Sequence, residues 1–379
     1  MREGRRRGSR MSSRLLAVGT AAALAIGVAA CGDDEESSSG GGGAKKEEEV
    51  TVGLITKTEA NPFFVKMKEG AQAKAKELNV KLLTAAGKSD TDNQSQVTAL
   101  ENMTTQGAKG ILIVPADSKA VVPAIKKARD AGVVVIALDT PTDPEDGADA
   151  LFATDNKKAG VLIGEYAKAK AEEMGIEPKI ALLDLAPGIT VGQLRHDGFL
   201  EGFGIKEGDP QIVGAAPTLG EVAKGQSAME TLLQKDPGIN VIYSINEPSG
   251  FGGATALKAA GKDPKDFILV SVDGGCDAIE RGIKTGIIDA TSQQYPLKMA
   301  SLGVEKIAAA ARGVDPAGFL LPRRSPPSDG IDREVAPRQV LLQGVGEGHR
   351  VGPAVVAVGV VAAERGDLGG ARPGGGLCL

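Results

Sequence analysis

The chain has 379 residues and a formal net charge of −5 at pH 7, from 44 Lys and Arg against 49 Asp and Glu. A mildly acidic chain without a basic cluster is not expected to bind nucleic acid. Its three Cys form no CxxC pair and it has only two His, so we expect neither a zinc site nor a His-based metal cluster.

The N-terminus carries the pattern of an export signal. A short basic start ends at Arg14, and the small apolar run that follows is too short for an ordinary transmembrane helix and closes on Val28–Cys31. This pattern resembles the lipobox of bacterial lipoproteins, in which the cysteine becomes the lipid-modified first residue. We therefore expect residues 1–31 to be a signal peptide that ends at a lipidated Cys31. A simple secretory signal with an incidental cysteine is the alternative.

A linker is expected between this signal and the folded part of the chain. Residues 32–49 are acidic, then rich in Ser and Gly, then charged again, and they offer no apolar side chains to bury. A flexible tether outside the membrane follows from this composition. The roughly 330 residues that remain are typical of two domains.

From Val50 to about Arg312, short runs rich in Val, Ile and Leu alternate with longer Ala/Lys/Glu-rich segments. In two of these segments, 63–78 and 297–311, apolar residues recur at helical spacing. The predicted strands are Val50–Ile55, Val80–Thr84, Gly110–Val114, Val133–Leu138, Lys179–Leu183, Gln211–Ala215, Val241–Ser244, Phe267–Val272 and Gly286–Ala290. This alternation predicts an α/β fold with parallel sheets covered by helices on both faces.

Two features divide the chain. The rhythm breaks at Phe152–Asn156, between two units of similar size, and we place a domain boundary there. From about residue 319 the rhythm is lost, no Lys follows Lys306, and Arg, Gly and Pro dominate. Residues 319–379 are therefore an aberrant low-complexity tail: either a native disordered tail or the product of a reading-frame shift near Ala317. Re-sequencing that junction would separate the two.

Polar and aromatic side chains gather at the predicted strand exits, where open parallel sheets bind ligands. They are Asn61, Phe63, Phe64, Asp139, Asn246, Asp273 and Gln294, together with Arg195 on the helix after the fifth strand. Carboxylates, amides, a guanidinium and aromatic faces together suit a neutral polyhydroxylated ligand. The aspartates could instead cap turns or helices, the phenylalanines could be core residues, and Arg195 could be solvated or ion-paired.

Signals for catalysis are absent from the sequence. No GxGxxG follows the first strand, and there is no GxxxxGK[ST] loop or GxSxG elbow. No nucleophile–base pair stands out, and His196 beside Arg195 is expected to be structural. We therefore expect a binding protein without a cofactor rather than an enzyme.

Several of these strings resemble a known family, the periplasmic sugar-binding proteins of the ribose-binding type. The matching strings include Asn61–Phe64, Ser271–Gly275 and the residues around Arg195. The strings Ser244–Pro248 and Gln293–Ala300 are similar to the fructose-binding branch. The resemblance implies a type I periplasmic-binding fold: two doubly wound Rossmann-like lobes joined by a hinge. Residues 50–154 with 295–318 would form one lobe, and residues 155–294 the other.

The resemblance also implies roles. Asn61, Phe63, Phe64 and Asp139 would line the first lobe; Arg195, Asn246 and Asp273 would come from the second; Gln294 would lie near the hinge. Such a protein is a monomer that closes on one monosaccharide and presents it to the permease of an ABC importer. An exported sensor that presents a sugar or autoinducer to a receptor kinase is the alternative. A transcription regulator of the lac-repressor type is a further alternative, but it would need an N-terminal helix-turn-helix where this chain has the predicted export signal.

The chain departs from the ribose-binding pattern in two places near the site and in its tail. Thr140 stands where ribose binders have an arginine, and Gly220 where they have an aromatic residue. These departures favour fructose, with ribose or a related sugar as the other possibility. Relatives in the fructose branch carry a Cys near the C-terminus with which Cys276 would pair, but Cys378 of the altered tail is an unconvincing substitute. We also expect the altered tail to lack the third lobe-crossing segment and the terminal strand.

Overall fold

The computed structural model describes residues 49–314, together with the backbone of two short strands at 338–342 and 360–362. The predicted signal peptide, the lipidation site at Cys31 and the linker lie outside these residues, as do Cys378 and most of the tail. No helix in the described part of the chain is long and apolar enough to cross a bilayer.

The first lobe is built on a parallel sheet. Its strands lie in the order β11-β5-β4-β3-β1-β2. They are β1 (Thr51–Thr56), β2 (Lys81–Ala86), β3 (Gly110–Ile113), β4 (Val134–Leu138), β5 (Ala150–Thr154) and β11 (Arg338–Leu342). The helices that follow its strands are α1 (Pro62–Glu77), α2 (Asn93–Thr105) and α3 (Val122–Asp130), with a 3-10 turn at Glu145–Gly147.

The second lobe repeats this architecture. Its strand order is β12-β10-β9-β8-β6-β7, and all pairs are parallel except that of β12 with β10. The strands are β6 (Ile180–Asp184), β7 (Ile212–Pro217), β8 (Val241–Ser244), β9 (Ile268–Asp273), β10 (Ala290–Gln293) and β12 (Val360–Ala362). The helices are α4 (Asn156–Met174), α5 (Thr190–Phe203), α6 (Val222–Lys235), α7 (Glu247–Ala259) and the short α8 (Cys276–Ala278) with its π-helical continuation Ile279–Ile283.

The chain crosses between the lobes twice in residues 49–314. It leaves β5 and enters α4, and later leaves β10 and enters α9 (Pro296–Ala311), which returns to the first lobe. There α9 buries Met299 and Val304 in the same core cluster as Val52 and Leu54 of β1. The predicted α/β fold of two doubly wound parallel-sheet lobes is confirmed.

Three details of the prediction are wrong. Residues 286–289 are not in a strand: Gly286 has a φ of +73° in the turn after the π-helical segment, and β10 begins only at Ala290. The segment interpreted as a break in rhythm, Phe152–Asn156, begins inside β5, a five-residue strand that pairs with β4 and β11. The tail, expected to hold no strand, contributes β11 and β12.

Glycines bring neighbouring helices into backbone contact. A Cβ atom on Gly252 of α7 would lie 2.0 Å from the carbonyl oxygen of Val222 in α6. A Cβ atom on Gly202 of α5 would lie equally close, 2.0 Å, to the carbonyl oxygen of Val161 in α4. Since backbone cannot move aside as a flexible side chain can, any larger residue at these positions forces the helices apart.

We expect Gly252→Ala to lower the free energy of unfolding by about 2 kcal/mol through overpacking. Gly250→Ala is the matched control in the same helix, because its Cβ atom would lie no closer than 3.3 Å to side-chain atoms. The control should change stability by less than about 1 kcal/mol, the usual scale of a helix propensity difference. Equal losses in urea unfolding of the two variants would contradict this account.

Candidate functional site

A cavity of about 20 Å³ lies between the two lobes, at the carboxyl ends of their strands. Its lining residues come from both lobes and from the second crossing. They are Lys57, Asn61, Phe63, Phe64, Asp90, Asp139, Leu185, Val191, Arg195, Ile245, Asn246, Asp273 and Gln294. All eight residues predicted from the strand exits therefore surround one cavity. That they bind a ligand stays a prediction.

Arg195 is the centre of this site. Its side chain, 6% exposed, extends from α5, with Nη2 3.4 Å from Asp139 Oδ1 of the first lobe and Nη1 3.6 Å from Asp273 Oδ1 of the second. Nη1 also donates to the carbonyl oxygen of Ile245 at 3.0 Å, and Nε to Asn156 Oδ1 at 2.8 Å. The guanidinium fork is thus held in one plane facing the cavity, and the alternative of a solvated arginine is wrong.

Asp139 and Asp273 occupy strained backbone positions at the ends of β4 and β9. Their backbone φ angles are +59° and +134°, in a region that residues other than glycine rarely adopt. Asp139 accepts hydrogen bonds from Arg195 and from the Thr140 hydroxyl, and Asp273 accepts one from Gln294. Neither carboxylate caps the next helical element, because the 3-10 turn Glu145–Gly147 after Asp139 and α8 after Asp273 both begin without a side-chain cap. Both residues line the cavity.

Asn61 and Asn246 each cap a helix at the edge of the cavity. Asn61 Oδ1 accepts from the backbone N–H of Phe63, at the start of α1. Asn246 Oδ1 accepts from the N–H of Ser249, at the start of α7, and its Nδ2 donates to the carbonyl oxygen of Gly220. Because the caps use the amide oxygens, the Nδ2 groups of these side chains are the part that could donate to a ligand.

Phe63 and Phe64 belong both to the core and to the cavity. Their rings pack edge to face with centroids 5.3 Å apart, and both residues join the core cluster of the first lobe. Each also lines the cavity. An aromatic face held rigidly in this way can cover the C–H side of a sugar ring at little entropic cost.

Gln294 lies at the second crossing, directly after β10. Its Nε2 donates to Asp273 Oδ1 at 2.7 Å, whereas its Oε1 is buried and accepts no hydrogen bond from the described residues. A buried acceptor without a partner costs free energy that a ligand hydroxyl could recover.

Two site residues, Lys57 and Asp90, were missed from the sequence. Lys57 follows β1 directly and is 1% exposed, and Asp90 lies in the loop after β2 and is 5% exposed. Burial lowers the pKa of Lys57, against the opposing effect of Asp90 and Asp139, and burial raises the pKa of Asp90 to about 6. Lys57 also follows a strand, so its position could have indicated the site. A lysine in a sequence is usually interpreted as a surface residue, however, and its burial is known only from the tertiary structure.

A further buried carboxyl group, that of Glu247, lies next to the site. Glu247 accepts from the N–H of Gly275 and from the hydroxyl of Thr291 at 2.9 Å. Burial, and then the nearby charge of Asp273, raise the pKa of Glu247 well above its ordinary value, and burial also raises the pKa of Asp273. Lys57 and Arg195 therefore lie close to carboxyl groups whose pKa values are raised by burial.

His196 points away from the cavity. Its Nδ1 lies 3.0 Å from Asp184 Oδ1 at the end of β6, and its Nε2 lies 3.0 Å from Glu207 Oε2 after α5. The hydrogen bond to Asp184, together with Glu207, raises the pKa of His196 to about 9. His196 is thus an imidazolium that fixes α5, consistent with the structural role expected for it.

The cavity volume shows what binding requires. About 20 Å³ corresponds to roughly one water molecule. A larger groove of about 1280 Å³ adjoins it and shares Asn61, Phe63, Asp90, Asp273 and Gln294 as lining residues. A ligand of several heavy atoms does not fit beside Arg195 in this arrangement of the lobes.

Known proteins of similar sequence and structure agree on one family. Residues 52–315 match the periplasmic binding protein domain. The D-ribose/D-allose-binding protein of Pseudomonas aeruginosa is 31% identical over 264 residues, covering 67% of this chain and 80% of that protein. The ribose import binding protein of Bacillus subtilis is 30% identical over 255 residues, covering 67% and 79%. A periplasmic solute binding protein of an ABC transporter from Actinobacillus succinogenes, solved with bound D-allose, has a TM-score of 0.65 at 25% identity, covering 83% of this chain and 98% of that one.

The ion contacts of His196 predict a specific dependence of stability on pH. Because the pKa of His196 is raised from 6.5 to about 9, these contacts stabilise the fold fully below about pH 6.5. Their contribution is lost as the pH rises through about 9. We expect His196→Gln to reduce the free energy of unfolding by about 1 kcal/mol at pH 6, since solvent screens the exposed Glu207. The difference between the two proteins should vanish by pH 10 in urea unfolding; a constant difference would contradict the assignment.

Proposed function

The chain belongs to the periplasmic binding protein family, and on this premise we propose that it captures a neutral monosaccharide between its lobes and delivers it to an ABC permease. The observation that carries the proposal is the convergence of a lysine, an arginine, three carboxyl groups, three amides and two phenyl rings, from both lobes, on one buried cavity. Members of this family bind and transport solutes, and the chain is accordingly not an enzyme.

Each group has a role that suits a sugar. The Arg195 fork donates to ring or hydroxyl oxygens, while the carboxylates of Asp139 and Asp273 accept from neighbouring hydroxyls. Gln294 Oε1 supplies a further acceptor, and Asn61 and Asn246 supply amide donors. Charge-assisted hydrogen bonds of this kind, with Phe63 and Phe64 against the C–H face, suffice for micromolar affinity, about −8 kcal/mol.

Closure of the lobes couples binding to transport. A sugar that touches Asp139 in one lobe and Arg195 in the other has a higher affinity for the closed arrangement than for the open one. It therefore shifts the population towards the closed form by that difference in affinity. We propose that the permease recognises this closed form. The same closure would serve a sensor that signals to a receptor kinase, so partner binding, not sugar binding, separates the two functions.

For the sugar itself we propose fructose, with ribose or allose as the competing candidates because relatives carry those names. Gly220 has a φ of +70°, and a Cβ atom there would lie 2.9 Å from both Asn246 Nδ2 and Asp90 Oδ2. An aromatic side chain does not fit at that position. Compared with the ribose-binding pattern, a ligand would therefore have one aromatic contact fewer and would lie near Asn246 and Asp90 instead. A ketohexose, with one more hydroxymethyl group than a pentose, suits that change.

For the location we propose an extracytoplasmic protein anchored by lipid at Cys31, in the periplasm or on the outer face of the cytoplasmic membrane. The support is the small-residue run before Cys31 and the acidic Ser/Gly linker after it. Expression of the full chain and its Cys31→Ser variant in a bacterial host tests this. We expect the full chain in the membrane fraction with acyl chains on Cys31, and the variant without them; equal distribution and equal mass would overturn the anchor.

The binding proposal is tested by thermal melts of the purified chain with fructose, ribose, allose, mannose, xylose, galactose and glucose. A sugar at about a hundred times its Kd adds about 2.7 kcal/mol of stability and should raise Tm by a few degrees. A shift with one or two sugars supports the proposal and identifies the ligand. A cooperative melt that no sugar moves would contradict it.

Arg195→Lys should then weaken binding of that sugar about tenfold to a hundredfold, because lysine keeps the charge but loses the planar fork. Arg129→Lys is the matched control. Arg129 Nε bonds Asp149 at the protein surface, 2.9 Å away and outside the cavity. Calorimetric titration should show an unchanged Kd for the control. Equal weakening in both variants would argue against a specific role of Arg195.

A further inference from the structure

Asn156 lies where the chain passes from the first lobe to the second. It is the first residue of α4, two residues after the end of β5, and it is 3% exposed. The sequence did not indicate a role for Asn156, since an Asn that follows an Asp at the start of a helix is usually interpreted as part of the helix cap. The cap of α4 is in fact Asp155, whose side chain accepts from the N–H of Lys158. Asn156 is therefore available for another role.

The side-chain amide of Asn156 joins three segments of the chain. Its Oδ1 accepts from Arg195 Nε at 2.8 Å. Its Nδ2 donates to the carbonyl oxygen of Asp139 at 3.3 Å and to that of Thr154 at 3.1 Å. One buried amide thus connects the end of β4 and the end of β5, both in the first lobe, with α5 in the second.

The backbone around Arg195 is fixed by the same helix. Gly160, one turn after Asn156, faces the carbonyl oxygen of Arg195, which would lie 2.3 Å from a Cβ atom at that glycine. Gly198 of α5 faces the carbonyl oxygen of Lys157 in the same way, at 2.2 Å. Because α4 and α5 touch backbone to backbone here, the side chain of Arg195 must pass beside Asn156 to reach the cavity.

We propose that Asn156 is the positioning residue that aims Arg195 into the cleft and that ties this orientation to lobe closure. Asn156 Oδ1 holds the guanidinium from behind, so that Nη1 and Nη2 face Asp273 and Asp139. Both Asn156 and Arg195 belong to the second lobe and move together. The hydrogen bond from Asn156 Nδ2 to the Asp139 carbonyl oxygen crosses to the first lobe, so separation of the lobes would break it. The hydrogen bond from Arg195 Nε to Asn156 Oδ1 lies within the second lobe and would remain. The expected effect of Asn156 on sugar affinity rests on the proposed function.

The orientation of Arg195 can be observed without any ligand. In wild type, the Arg195 Nε–H is buried and hydrogen-bonded, so its side-chain NMR signal should exchange slowly with water; Arg195→Lys identifies the signal by removing it. Asn156→Ala should abolish the slow exchange. Asn156→Asp keeps an acceptor for Nε but loses both Nδ2 donors, and it should retain the signal. Asn240→Ala is the matched control. Asn240 also accepts one hydrogen bond, from the backbone N–H of Lys179, and donates to the carbonyl oxygen of Glu177, but it lies outside the cavity.

Affinity gives the second readout, with the sugar that wild type binds. Asn156→Ala should raise Kd about tenfold or more, the usual value of a hydrogen bond to a charged group, and Asn240→Ala less than about twofold. In the Arg195→Lys background, Asn156→Ala should add less than about twofold, because its effect acts through the arginine. Additive effects in this cycle, or a retained Arg195 signal in Asn156→Ala, would overturn the proposal. If wild type binds no sugar, the proposed function fails, whereas the exchange comparison still decides the positioning role.

Discussion

The structure depends on one buried electrostatic contact, that of Arg195 with Asp139 across the cleft and with Asp273 on its own side. Three charged groups, each less than one-tenth exposed, lose most of their hydration here. Such groups are tolerated only when they are paired and hydrogen-bonded, and removing one partner leaves the others uncompensated. The contact joins the two lobes across the cavity, and under the proposed function it is the place where sugar hydroxyls would replace protein partners.

The helices around this contact are placed to keep the arginine still. Glycines let α4 and α5 approach until backbone touches backbone, and α6 and α7 meet in the same manner. His196, the neighbour of Arg195, fixes the outer face of α5 through Asp184 and Glu207. A side chain that is already held in place loses little conformational entropy when it binds a ligand, so this rigidity would increase the affinity for a ligand that hydrogen-bonds to Arg195.

Strain and burial concentrate in the same small region. Asp139 and Asp273 have positive φ angles, Gln294 Oε1 is buried without a partner among the described residues, and the carboxyl groups of Asp90, Asp273 and Glu247 have raised pKa values. Each of these features costs stability in the folded chain. A neutral polyol that hydrogen-bonds these groups would offset part of the cost, which links the energetics of the cleft to its proposed function.

The sequence by itself determined the α/β fold, because buried parallel strands are continuous apolar runs. It also singled out polar residues near the strand exits, together with Arg195 on the helix after the fifth predicted strand, because the carboxyl ends of parallel strands all face the same edge of a sheet. It did not show β5, a strand of five residues that pairs with β4 and β11. Only the tertiary structure decided that Lys57 and Asp90 line the same cavity as Arg195 and that Asn156 holds Arg195 from behind, because burial and contact between distant segments leave no local periodicity in the sequence.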